Sequence, residues 1–119
     1  MPKKILLVDD EPDILRTVDF RLTQFGYKII TATDGENAVK IIRNEKPDLV
    51  LLDLRLPGIN GIEVCKIVRS DETIKNTPII LFTASASRIT EDCAKCGAND
   101  YLLKPFDPKN LLEKINKYL

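Results

Sequence analysis

Apolar residues fall into short continuous runs that alternate with longer segments in which they recur every three or four positions. The runs at 4–9, 49–53, 79–83 and 101–104 are apolar almost throughout, and each closes on a polar or charged residue. Continuous hydrophobicity is typical of strands that are covered on both faces. The segment 27–32 mixes polar with β-branched residues and is therefore predicted to be an edge strand.

Helical periodicity follows each of the five predicted strands. The first helix is predicted to have Pro12 in its first turn and to end before Gly26, and the second to run over about 34–46. Asn60 is predicted to cap the third helix and Asp107 the fifth. The residues predicted to face the core are Ile14, Leu15, Val18, Leu22 and Phe25, then Ala38, Ile41 and Ile42, then Ile62, Cys65 and Val68, then Ile89, Cys93 and Cys96, and finally Leu111, Ile115 and Tyr118.

This alternation of strands and helices predicts an α/β fold with one parallel sheet, right-handed crossovers and helices on both faces. Because the polar edge strand is second in the chain, the favoured strand order is 2-1-3-4-5. This is the flavodoxin-like (βα)5 open sandwich, with a switch point between the first and third strands. We expect a single domain over residues 1–119, with its chemistry outside the carboxyl ends of the strands.

Composition and charge narrow the possible partners. The chain is 44% hydrophobic and 30% charged, which is ordinary for a soluble globular protein. Eighteen basic residues balance eighteen acidic ones, so direct binding to nucleic acid is not expected. No apolar run is long enough to span a membrane, and the first residues lack a signal-peptide core, so we expect a cytoplasmic protein without membrane contact.

The three cysteines do not predict a disulfide framework, because their number is odd and the chain is short. Cys93 and Cys96 match C-x-x-C, but Gly97 places them in the last turn of a helix, where the dipole disfavours a thiolate. A zinc site would need further ligands, and the chain has no histidine. We therefore expect both cysteines to be packing residues.

Functional side chains stand where four of the predicted strands end: Asp9 with Asp10, Asp53, Thr83 and Lys104. Parallel strands bring these ends to one edge, where three crowded carboxylates require a compensating positive charge. Mg²⁺ prefers oxygen ligands and binds to carboxylates together with phosphate oxygens. Without a P-loop or a GxGxxG motif, this set favours a phosphoryl site over a nucleotide site.

Each of these residues also has a plainer interpretation. Asp10 can be a helix cap or turn former, Thr83 can cap the fourth helix, and Lys104 can be a solvated strand end. Their coincidence at four strand ends is what favours a functional site.

The sequence motifs resemble those of the receiver domain of two-component response regulators, in order and spacing, over essentially the whole chain. The resemblance rests on LLVDDEP at 6–12, PDLVLLDLRLPG at 47–58, FTA at 82–84 and GANDYLLKPF at 97–106. It implies that Asp53 accepts a phosphoryl group from a histidine kinase or a histidine phosphotransfer protein. It also implies that Asp9, Asp10, Asp53 and the backbone carbonyl of Arg55 hold Mg²⁺, with Lys104 neutralising charge.

The same resemblance implies a switch. Thr83 and Tyr101 would respond to the phosphoryl group, and Lys104 would be joined to Pro105 by a cis peptide. The surface of the fourth helix, fifth strand and fifth helix would then control the binding of a downstream target or an effector domain. Such a domain is not an enzyme beyond its own phosphorylation and dephosphorylation.

Three alternatives remain open from the sequence. A haloacid-dehalogenase-like phosphatase also uses a strand-end aspartate with Mg²⁺, but it has a second acid where Arg55 stands. A flavin-binding electron carrier would need a glycine- and hydroxyl-rich first loop instead of the acidic one at 10–13. A degenerate receiver that acts only in protein interaction would lack some of the site residues, whereas this chain has all of them.

Overall fold

Five parallel strands form a central sheet in a computed structural model that describes residues 2–84, 89–104 and 107–119. The strands are β1 (Lys4–Val8), β2 (Lys28–Ala32), β3 (Leu49–Asp53), β4 (Ile79–Thr83) and β5 (Asp100–Leu103). They lie in the order β2-β1-β3-β4-β5, and every neighbouring pair is parallel. The predicted flavodoxin-like sheet is therefore confirmed.

A helix follows each strand: α1 (Pro12–Gln24), α2 (Gly35–Glu45), α3 (Gly61–Ser70), α4 (Ile89–Cys96) and α5 (Pro108–Tyr118). The predicted caps of α3 and α5 are confirmed. The Asn60 side chain accepts a hydrogen bond from the Glu63 backbone N–H, and Glu63 accepts one in return from the Asn60 N–H. Asp107 caps α5 by accepting from the backbone N–H of Lys109 at 2.8 Å.

The sheet separates two hydrophobic clusters, because alternate residues of a strand point to opposite faces. One cluster joins the sheet to α2, α3 and α4, and the other joins it to α1 and α5. All five residues of β3 are buried, whereas the edge strand β2 is largely exposed or half-buried. The contrast between continuous and mixed runs in the sequence thus separates central strands from an edge strand.

The core differs from the prediction at a few positions. Phe25 is 60% exposed, because it is the C-cap of α1 and its backbone has already left the helical conformation. Val39 is buried although the prediction did not include it. Ile14, Leu15, Ile41, Ile62 and Tyr118 are partly buried against the two clusters. The side chain of Ile89 lies outside the described residues.

The cysteines lie in the core, as expected. Cys65, Cys93 and Cys96 are all free thiols and all buried in the cluster beneath α2, α3 and α4. Cys93 donates weakly to the carbonyl of Ala98 at 3.6 Å.

Arg69 at the end of α3 connects several segments at the amino-terminal edge of the sheet. Its Nε donates to the carbonyl of Gly97, which directly follows α4, at 2.8 Å. Its Nη1 donates to the carbonyls of Lys75 and Thr77, and its Nη2 donates to Oδ1 of Asn99 at 2.8 Å. One guanidinium therefore fixes the end of α4 relative to β4 and β5.

Asp71, which ends α3, is predicted to make stability depend on pH. Hydrogen bonds from Thr73 and Arg43 hold the pKa of its carboxyl at about 2, below the ordinary 3.8. A lowered pKa means that the stabilisation is present above about pH 4 and is lost as the pH falls toward 2. In urea unfolding, Asp71→Asn should therefore be less stable than the wild type at pH 7, with a smaller difference at pH 3. Glu72→Gln on the exposed neighbour should show no such trend, and a pH-independent deficit for Asp71→Asn would contradict the expectation.

None of the helices within residues 2–84, 89–104 and 107–119 combines the length and apolar composition required to cross a membrane.

Candidate functional site

Polar side chains meet at the carboxyl edge of the sheet, where β1, β3, β4 and β5 end. Asp9 directly follows β1, Asp53 and Thr83 are the last residues of β3 and β4, and Lys104 directly follows β5. The backbone N–H of Lys104 donates to the carbonyl of Thr83 at 2.7 Å, which fixes the end of β5 beside that of β4. The parallel register therefore gathers the predicted strand-end residues at one place.

Three of these residues are buried, which is unusual for polar groups. Asp9 is fully buried, and Asp53 and Thr83 are 4% and 2% exposed. No other polar or charged residue is buried in the described part of the chain. Buried carboxylates are unfavourable unless they are paired, so their concentration at one point marks a site with a function beyond packing.

Lys104 compensates part of this charge. Its Nζ lies 2.8 Å from Asp9 Oδ2 and 3.1 Å from Asp53 Oδ2, and donates a hydrogen bond to each. Glu11 is a third partner, with its Oε1 at 3.6 Å from the same Nζ. The ammonium also lies 4.8 Å from the ring centroid of Phe82. Burial alone would lower the pKa of Lys104, but the hydrogen bonds to Asp9 and Asp53 outweigh it, so this pKa lies above its ordinary value.

The carboxylate of Asp53 is held at both oxygens. Its Oδ1 accepts from the backbone N–H of Arg55 at 3.2 Å, and its Oδ2 accepts from Lys104. Burial raises the pKa of Asp53 above its ordinary value, and the two hydrogen bonds oppose this effect only in part. The two hydrogen bonds thus orient the carboxylate, but they offset only part of the cost of burying its negative charge.

Four carboxylates form a cluster in this pocket: Asp9, Asp10, Glu11 and Asp53 offer oxygens that all lie within 4.8 Å of one another. The two buried ones form the base, and Asp10 and Glu11 are exposed at the mouth. Oxygen donors at this spacing are the ligands that Mg²⁺ prefers, so the donor set fits that ion.

The sequence predicted three members of this cluster and missed Glu11. Asp9 Oδ1 accepts from the backbone N–H of Glu11 at 2.9 Å, and this turn folds the chain back over Asp9. Glu11 is also the N-cap residue of α1. Asp10 does not occupy this position, although the sequence allowed it. The only signal in the sequence is that Glu11 follows two other acids.

The roles of the remaining predicted residues, Thr83 and Tyr101, stay predictions. Thr83 is buried at the end of β4, as described above. Tyr101 is half-buried on β5, and Lys114 Nζ lies 5.6 Å from its ring centroid. The peptide between Lys104 and Pro105 lies outside the described residues, and so does the predicted cis bond.

Comparison with known proteins identifies the family. The family model of the response regulator receiver domain matches residues 5–116. The chain belongs to the receiver-domain family of response regulators. Membership favours the receiver interpretation over the dehalogenase-like and flavin-carrier alternatives.

Among curated proteins, this receiver is similar to the alkaline phosphatase synthesis transcriptional regulatory protein PhoP of Bacillus subtilis (strain 168). The two are 42% identical over 120 residues, which cover 100% of this chain and 49% of that protein. The chain spans about half the length of the curated relatives it matches.

Two solved receiver structures are similar over nearly their whole length. Response regulator protein TrrA of Thermotoga maritima, in complex with Mg²⁺ and a beryllium fluoride, is 39% identical with a TM-score of 0.89, covering 98% of this chain and 99% of that one. The receiver domain of sensor histidine kinase PA1611 of Pseudomonas aeruginosa PAO1 has magnesium in its active-site cleft. It is 33% identical with a TM-score of 0.92, covering 99% and 98% of the two chains. Homologous receivers thus bind Mg²⁺ in crystals.

Proposed function

We propose that this receiver is a phosphorylation-dependent switch in which Asp53 accepts a phosphoryl group from a histidine kinase or a histidine phosphotransfer protein. The observation that carries the proposal is the arrangement of Lys104 between two buried carboxylates, Asp9 and Asp53, at the carboxyl edge of the sheet. A buried, oriented carboxylate beside a fixed cation suits an anionic substrate group better than it suits packing.

The metal ligands in this proposal are Asp9, Asp10, Asp53 and the backbone carbonyl of Arg55. The acidic cluster supports the first three. When bound, Mg²⁺ would neutralise charge on the oxygens of the transferring phosphoryl group.

Asp53 is the nucleophile of the transfer. One of its carboxylate oxygens forms a bond to phosphorus, and the bond from phosphorus to the donor histidine nitrogen breaks, leaving the electron pair on that nitrogen. Because the nucleophile is already ionised, no general base is needed, which agrees with the absence of histidine from the chain. Lys104 keeps a positive charge next to the oxygens that gain charge, and Thr83 supplies a hydroxyl donor.

The output of the switch is a changed binding surface. Thr83 ends β4, the strand beside β3, and Tyr101 lies on β5, the next strand along the sheet. Lys104, directly after β5, contacts Asp53, so a group added at Asp53 has contacts toward the ends of both strands. In the proposal, both residues move in response, and the surface of α4, β5 and α5 then binds a downstream target or an effector domain. The domain comprises residues 1–119 and is not an enzyme beyond its own phosphorylation and dephosphorylation.

The direct test is labelling with a small acyl phosphate in the presence of Mg²⁺, followed by intact-mass measurement. The wild type should gain one hydroxylamine-sensitive phosphoryl group, and Asp53→Asn should gain none. Asp19→Asn, which removes a half-buried carboxylate on α1 outside the acidic cluster, should be labelled like the wild type. A label that persists in Asp53→Asn would show that another residue is the acceptor.

A further inference from the structure

We propose that the negative charge of Glu11 raises the affinity of the pocket for a divalent cation, although Glu11 is not itself a ligand of that cation. The proposal rests on the proposed function of the pocket as a metal and phosphoryl site.

The backbone places Glu11 at the mouth of the pocket. Its N–H donates to Asp9 Oδ1 at 2.9 Å, so the residue is tied to the base of the acidic cluster. Its carboxylate lies within 4.8 Å of ligand oxygens of Asp9, Asp10 and Asp53. The hydrogen bond to Asp9 therefore fixes the backbone of Glu11 beside the pocket.

Exposure separates Glu11, like Asp10, from the buried carboxylates at the base, and Glu11 is in addition paired with Lys104. Its side chain is 62% exposed, while that of Asp9 is 0% exposed. An exposed carboxylate keeps its water, so it can remain charged without a desolvation cost and still attract a cation that enters the pocket.

The pocket carries more negative than positive charge, so it attracts cations. Lys104 contacts three carboxylates of the cluster, with Nζ distances of 2.8 Å to Asp9, 3.1 Å to Asp53 and 3.6 Å to Glu11. One ammonium does not neutralise four carboxylates, so the cluster retains net negative charge. Glu11 also gives Lys104 a partner on the solvent side of the pocket.

The expected size of the effect follows from Coulomb's law. For one charge within 4.8 Å of a ligand oxygen and a divalent ion at that oxygen, the dielectric of water gives a change of about tenfold in the binding constant at low ionic strength. Loss of a direct ligand would have a larger and less salt-sensitive effect, because a coordinate bond is not screened by mobile ions.

Calorimetric titration of the unphosphorylated protein with Mg²⁺ tests the proposal. At low salt, Glu11→Gln should bind Mg²⁺ about tenfold more weakly than the wild type, while Glu11→Asp should stay within about threefold. Asp13→Asn is the matched control, because Asp13 is an exposed acid in the first turn of α1 and lies outside the acidic cluster. Because its charge lies outside the cluster, it should weaken binding clearly less than Glu11→Gln does, by about threefold or less. At 1 M salt, where the Debye length is about 3 Å, the deficit of Glu11→Gln should shrink to about threefold or less.

Several results would overturn the proposal. One is a Glu11→Gln variant that binds Mg²⁺ as tightly as Asp13→Asn, and another is a Glu11→Asp variant as weak as Glu11→Gln. A deficit that persists undiminished at 1 M salt would make Glu11 a ligand instead. A wild type that does not bind Mg²⁺ at all would also overturn the metal site of the proposed function, whereas the first three results would leave that site intact.

Discussion

Replacing Lys104 with methionine is expected to lower the free energy of unfolding by about 3 kcal/mol, because it leaves two buried carboxylates without their shared cation. Lys104 is 10% exposed, and it contacts Asp9 and Asp53, whose side chains are 0% and 6% exposed. Water reaches these two carboxylates only from the mouth of the pocket, so it compensates only in part for the lost ammonium. Methionine keeps most of the volume beside Phe82, so the loss is chiefly one of charge.

Mg²⁺ should restore part of the stability that Lys104→Met loses. A cation that binds the folded pocket stabilises it by mass action, and it does so more strongly once the competing ammonium is gone. Urea unfolding of both proteins with and without Mg²⁺ measures the effect, and the gap between them should narrow when the ion is present. Lys75→Met is the control, because Lys75 pairs with Glu72 on the surface and should cost at most about 1 kcal/mol. A Lys104→Met variant that is no less stable than this control would show that the buried carboxylates do not depend on Lys104.

Gly61→Ala is expected to destabilise the protein by about 3 kcal/mol, near the upper end of the usual cost of overpacking. A Cβ at Gly61 would collide with the backbone carbonyl oxygen of Asp53 and the Cα of Leu54. The N–H of Gly61 also donates to the carbonyl of Leu54 at 3.0 Å, so the start of α3 cannot move away without losing that bond. The strain would therefore fall on the end of β3, which carries Asp53.

Two measurements separate this collision from a general glycine effect. Gly26→Ala is the matched control, since Gly26 has a φ of 91° but no atom within 4 Å of an added Cβ, and it should cost about 1 kcal/mol. Acyl phosphate labelling of Asp53 should be slower in Gly61→Ala and unchanged in Gly26→Ala. Equal stability of the two variants would contradict the steric interpretation.

The sheet could be predicted from the sequence because local patterns decide it. Continuous apolar runs gave the bounds of β3 and β4 without error, and the mixed run at 27–32 identified the edge strand that sets the strand order. Caps at Asn60 and Asp107 were equally predictable, because a capping side chain acts within three residues of its own position.

Features that do not follow from the periodicity of apolar residues could not be predicted in this way. Phe25 fits the helical period of α1 but comes after its last turn, so periodicity alone places it wrongly in the core. The place of Glu11 in the acidic cluster depends on a turn made after β1, which the pattern of apolar residues does not describe. The four acceptors of Arg69 are distributed over residues 75–99 and share no local pattern.

The contacts of Arg69 also constrain how α4 can move. They hold the residue after this helix against the amino-terminal edge of the sheet, which is the edge opposite Asp53. A helix that is fixed at one end can swing but cannot slide along its axis. Displacement of α4 would therefore be a rotation about a pivot at Gly97, with the largest movement at the end nearest the edge that carries Asp53.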